Sequence, residues 1–201
     1  MVWLSLVGAM TLVGGTLLML EDHRPRTPQA LMDTTPVGSE AGLEAVLDTD
    51  ETLDTARWRG IVIHHSGSTH GNARTLDTEY RQAGLHGLGY HFVVSNGHGA
   101  VDGTIEVGYR WDAQLAGAHA MGPESDAYNR QTIGICLIGD GERRAFTDAQ
   151  LASLVELVHT LQKACDIPDR AVVLHRDIAA TSSPGRQFPE AAFRERLALL
   201  H

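Results

Sequence analysis

The chain has 201 residues, 43% of them hydrophobic, enough for one domain with a buried core plus extra segments. Its formal net charge is -9, and nine acidic residues against three arginines between positions 21 and 57 account for most of it. No basic patch interleaved with aromatics occurs, so the electrostatic footprint of a nucleic-acid binder is missing and nucleic acid is not expected as a partner.

Residues 1–20, MVWLSLVGAMTLVGGTLLML, carry no charged side chain. About 20 apolar residues suffice to span a bilayer as a helix. No basic residue precedes the run and no Ala-x-Ala follows it, so a retained signal anchor is favoured over a cleaved signal peptide. Arg24 and Arg26 lie just beyond it, where the positive-inside rule would hold that side in the cytoplasm. Residues 21–56 carry Pro25, Pro28 and Pro36, many acids and no Phe, Tyr or Trp. They read as an acidic flexible linker, with a short helix conceivable around 40–47. The folded domain is expected over 57–201.

Within it, GIVIHH predicts a buried strand over 60–65, and 75–83 a helix. YHFVVS (90–95) predicts a second strand, NGHG (96–99) a turn, and 100–106 the partner strand of a hairpin. TIGICLIG (132–139) predicts a third buried strand. Thr147 and Gln150 stand in capping-box spacing, and Leu151, Leu154, Val155, Val158 and Leu161 recur at helical spacing, predicting an amphipathic helix over 148–164. AVVLH (171–175) predicts a short strand and PEAAFRERLALL (189–200) a last helix, with Pro189 in its first turn. Strands alternating with helices give an α/β class: a single domain with a central mixed sheet flanked by helices. Cys136 and Cys165 fall in apolar surroundings and read as buried free thiols.

Eleven histidines are many for this length. Most lie in loops, in the linker or on a helix with no evident partner. His64 and His175 differ, because each ends an apolar strand, IVIH and VVLH. A rigid strand end projects its side chain into a cleft, and neutral imidazole is the commonest zinc ligand. A metal-binding histidine pair follows on these grounds.

Five blocks, in order, carry a family resemblance: IVIHHS (61–66), GLGYHFVVSNGHG (87–99), GAHA (117–120), YNRQTIGICLIGD (128–140) and HRDIAATSSPGRQF (175–188). Together they resemble the zinc-dependent N-acetylmuramoyl-L-alanine amidases of the phage-lysozyme and peptidoglycan-recognition-protein type. The resemblance implies zinc ligation by His64 and His175, and stabilisation of the scissile amide by Tyr90, assisted by Thr181. It implies a cleft histidine at His119 that binds substrate or handles protons. Arg176 is a candidate for a stem-peptide carboxylate. His65 and His91 are expected to be structural, and Asn129 to pin a loop.

One position departs from the family. The cysteine that usually supplies the third ligand, just before Pro-Gly, is here Ser183. A neutral hydroxyl is a poorer zinc ligand than a thiolate. Three outcomes stay open: Ser183 completes the site, another residue such as His119 or Asp177 does, or no zinc is retained. The implied activity is hydrolysis, by a zinc-activated water, of the amide between N-acetylmuramic acid and L-alanine in peptidoglycan. The alternative is a peptidoglycan- or muropeptide-binding module without catalysis. A serine hydrolase built on Ser183 is disfavoured, since no G-x-S-x-G elbow surrounds it. The implied location is exported, periplasmic or in the cell envelope, with membrane attachment through residues 1–20 if they are retained. Oligomeric state is not legible.

Overall fold

The structure, a computed structural model, describes residues 40–201; the apolar segment 1–20 and most of the expected linker lie outside the described residues. Among the described residues no helix is long and apolar enough to cross a membrane.

Five strands form one mixed sheet in the order β3-β2-β4-β1-β5. They are β1 (Gly60–His65), β2 (Phe92–Val94), β3 (Ile105–Val107), β4 (Thr132–Leu137) and β5 (Val172–Leu174). β1, rich in β-branched residues, is central and pairs in parallel with β4 and β5, Ile61 lying opposite both Ile133 and Val172. β2 runs parallel to β4, and only the β2–β3 pair is antiparallel. The expected hairpin forms there, but with Phe92 opposite Val107 and a long loop between the strands rather than a tight NGHG turn.

β2 is shorter than YHFVVS suggests because a side chain replaces part of the ladder. His91 donates its backbone N–H to Gly134 O, and its ring Nδ1 accepts the Gly134 N–H at 2.9 Å, where a strand neighbour's carbonyl would otherwise serve. Regular pairing therefore starts at Phe92.

The strand period of two sorts side chains onto two faces. Ile61, Ile63, Phe92, Val94, Ile133, Ile135 and Leu137 pack on one face with Leu154, Leu157, Val158 and Leu161. Those four belong to the long helix Asp148–Cys165, whose Thr147–Gln150 capping box forms as expected. Each such buried aliphatic side chain contributes about 1.5–3 kcal/mol by leaving water. On the other face Val93, Cys136 and Ile138 meet Leu76, Leu88 and Tyr90. Leu76 comes from a helix at Ala73–Gln82, close to the expected 75–83. The last helix, Glu190–Ala198, adds Phe193 and Leu197 to the first core. In chain order the α-helices are α1 (Glu40–Glu44), α2 (Ala73–Gln82), α3 (Tyr109–Asp112), α4 (Ser125–Gln131), α5 (Asp148–Cys165), α6 (His175–Ile178) and α7 (Glu190–Ala198).

Packing begins before Trp58. Leu43 and Val46 belong to the core, and the Trp111 indole donates to Val46 O at 2.6 Å. The last part of the expected linker is thus part of the folded unit. Two apolar side chains and one carbonyl aimed at a buried indole are enough to seat it. Both cysteines are free and buried.

Candidate active site

β1, β4 and the loops around them gather the expected residues on the sheet face opposite α5. His64 is fully buried near the end of β1 and stands opposite Cys136 of β4. β5 runs directly into α6, whose first residue is His175, so the second histidine sits at a strand–helix junction rather than on the strand. The two rings lie 4.3 Å apart, centroid to centroid. Tyr90 lies 5.1 Å from His64 by the same measure. His119 completes the cluster, with its Nδ1 3.1 Å from His64 Nε2.

The decisive observation concerns nitrogen atoms without partners. His64 Nδ1 and His175 Nε2 are both buried and neither has a hydrogen-bond partner. A buried polar atom is normally satisfied, so unsatisfied nitrogens on two neighbouring rings mark a place for an electron-pair acceptor. Both rings are held neutral. Burial lowers the His64 pKa well below its ordinary value, with neighbouring His119 and His175 adding to the effect, and burial lowers that of His175. Neutral imidazole is the form that ligates metals.

Ser183 is nearly buried, and its Oγ accepts the His65 N–H at 3.1 Å. That bond uses one lone pair of a neutral oxygen and leaves another. Thr181 is exposed, and its Oγ1 accepts the Ser183 N–H at 3.2 Å, which leaves its own proton to donate outward. Asp177 accepts the Leu174 N–H at 2.9 Å and so supports the start of α6. Arg176 reaches away from the histidines, to Glu190 at 2.7 Å and to Gly185 O at 3.1 Å. Among the described residues no group of three or more His, Cys, Asp or Glu side chains is gathered for a metal. The donors present are two imidazole nitrogens and one hydroxyl.

His119 is buried with both ring nitrogens engaged, Nδ1 with His64 and Nε2 with Thr132 O at 3.2 Å. Burial lowers its pKa to about 4. Asn129 fastens the GAHA loop: its side-chain oxygen accepts the N–H groups of His119 and Ala120, and its amide donates to Ala120 O. His91 is satisfied at both nitrogens, by Gly134 N–H and Leu115 O, and packs on Trp58. His65 accepts the Gly141 N–H.

The sequence did not reveal Tyr80. Its hydroxyl donates to the Tyr90 hydroxyl at 3.3 Å. The signal was helical spacing: Tyr80 follows Leu76 by four residues, so both lie on the α2 stripe facing the sheet. Burial raises the Tyr90 pKa well above its ordinary value, with Cys136 and Tyr80 contributing, and the phenol keeps its proton at neutral pH.

A five-stranded mixed sheet flanked by helices thus carries two bare histidine nitrogens, a buried phenol and a Pro-Gly loop on one face. A family model described as N-acetylmuramoyl-L-alanine amidase matches residues 54–186, more than half of the chain, and the chain belongs to that family. The endolysin of Enterobacteria phage T3 is 30% identical over 137 residues, covering 64% of this chain and 82% of the relative. The solved structure of the endolysin N-acetylmuramoyl-L-alanine amidase LysCS from Clostridium intestinale is 28% identical with a TM-score of 0.61, covering 72% of this chain and 86% of that one. The ectodomain complex of peptidoglycan recognition proteins LCa and LCx, solved with tracheal cytotoxin bound, is 25% identical with a TM-score of 0.55, covering 71% and 86%.

Proposed function

We propose that this chain is a zinc-dependent amidase that hydrolyses the bond between N-acetylmuramic acid and L-alanine in peptidoglycan, in the cell envelope. The observation that carries this reading is the bare, buried nitrogens His64 Nδ1 and His175 Nε2 on two neighbouring rings, with the Tyr90 ring packed beside that of His64. His64 and His175 fit as zinc ligands, and the Ser183 hydroxyl stands as a weaker third donor. Bound zinc supplies a Lewis acid that polarises the scissile carbonyl and makes a water acidic enough to attack near neutral pH.

The chain's own residues do the rest. Tyr90 keeps its proton and donates it as a hydrogen bond to the carbonyl oxygen as negative charge grows there. The Tyr80 hydroxyl, 3.3 Å from that of Tyr90, helps hold the phenol in place. Thr181, exposed and with its proton uncommitted to Ser183, offers a second donor to the same oxygen. Arg176 is bound to Glu190 and Gly185 and supports the loop more directly than it meets a stem peptide.

A second reading has one observation in its favour. Ser183 is an uncharged oxygen where the site calls for a third ligand, which favours a muropeptide-binding module without turnover. Incubating the full chain with purified peptidoglycan decides between them. Release of stem peptides with a new free L-alanine amino group is expected, and its loss in a His64→Ala variant. Co-sedimentation with the wall without any release would overturn the enzyme reading and establish the binder.

A further inference from the structure

We infer that His119 is a positioning residue: through a hydrogen-bond chain that begins at the Thr132 carbonyl, it holds His64 in the tautomer whose Nδ1 is bare. The use of that nitrogen for zinc rests on the function proposed above; the hydrogen-bond chain does not.

The chain can be read in one direction only. Thr132 O accepts and cannot donate, and it lies 3.2 Å from His119 Nε2, so Nε2 carries the hydrogen. A neutral imidazole has one N–H, which makes His119 Nδ1 an acceptor. His64 Nε2 lies 3.1 Å from that acceptor and must therefore donate. His64 is neutral as well, so its Nδ1 has no hydrogen. That atom is also the one left buried with no partner. A carbonyl of β4 thus fixes the tautomer of a histidine on β1, through a third residue from the GAHA loop.

The surroundings are shaped for this ring. A Cβ at Gly117 or at Gly134 would run into the His119 imidazole, so the ring packs directly against two glycines. Gly134 is in the middle of β4, where a residue without a side chain weakens a strand and needs a reason. Asn129 clamps the backbone on both sides of the ring through the His119 and Ala120 N–H groups. Two glycines and an asparagine therefore serve one imidazole orientation. With both nitrogens used inside the protein, His119 has none left for substrate. Partners that orient a ligating histidine in this way typically change metal affinity by about 10–100-fold when removed.

The first test uses uniformly 15N-labelled, metal-free wild-type protein. A scalar coupling across the hydrogen bond between His64 Nε2 and His119 Nδ1, with His64 Nδ1 unprotonated, is expected. Absence of the coupling, or a proton on His64 Nδ1, overturns the inference. The second test measures zinc affinity by chelator competition in wild type, His119→Phe and His119→Asn. Phe keeps a ring against the glycines and removes both bonds; Asn restores an acceptor toward His64. Zinc binding about 10–100-fold weaker in the Phe variant and largely recovered in the Asn variant is expected. Unchanged affinity in a folded Phe variant would overturn the positioning role. A wild type that shows the coupling but takes up no zinc would overturn the zinc reading and leave the tautomer assignment standing.

Discussion

At position 183 a serine keeps half of what a thiolate would do. Its oxygen takes the His65 N–H and so holds the loop against β1, but it brings no negative charge to a pair of neutral imidazoles. Ser183→Cys is therefore expected to tighten zinc binding by roughly tenfold or more, read by chelator competition at pH 7. Equal affinities would mean that the hydroxyl already suffices, or that another group completes the site. The phenol of Tyr90 has a different dependence. Tyr90→Phe removes one donor to the growing oxyanion and is expected to lower kcat by about 10²-fold with KM little changed. Tyr80→Phe leaves the Tyr90 proton in place and is expected to cost less than a tenth as much in kcat. Equal losses in the two variants would show that the hydroxyls act as one unit.

Among the elements, β4 is shaped most closely by the site. Gly134→Ala would drive a methyl into the His119 ring, and overpacking of this kind costs about 1–3 kcal/mol. Denaturant unfolding of the metal-free variant is expected to show that loss, which is steric because Gly134 has no positive φ. The strands and the long helix were legible because their apolar periods match their burial: β1, β4 and α5 lie within a residue or two of where the pattern puts them. Helices α3 and α4 were not, since YRWD and SDAYNRQ show no sustained apolar stripe and fold as short links set by their neighbours. The same contrast holds for the site. His64, His175 and Tyr90 announce themselves locally, by strand ends and by the GYHF block. The partnership of His119 with His64 spans 55 positions and depends on two glycines making room, whereas the resemblance pointed His119 toward substrate or proton handling.

For the molecule as a whole, buried neutral histidines set the response to acid. His64 and His91 are held well below the ordinary histidine pKa and His119 at about 4, each by burial first. Unfolded, each would take a proton near pH 6.5 that the folded state refuses. Their contribution is thus fully present above about pH 6.5 and is lost as pH falls toward the folded values. Asp112, raised to about 6 by burial, and Glu106, also raised by burial, act in the opposite sense below their folded values, but they are two groups against six lowered histidines. The denaturation midpoint of the metal-free protein is expected to be flat from pH 8 to 7 and to fall steadily from 6.5 to 4. A flat profile through that range would mean that water reaches these rings.

The ion pair between Arg176 and Glu190 has a practical consequence. Family similarity ends at residue 186, yet the loop bearing His175 and Ser183 is tied at 2.7 Å to a carboxylate four residues further on, in α7. That helix also inserts Phe193 and Leu197 into the core. An engineer who trims the chain at the edge of its similarity would remove the anchor of the very loop the similarity identifies. The smallest transplantable unit reaches at least to Leu197.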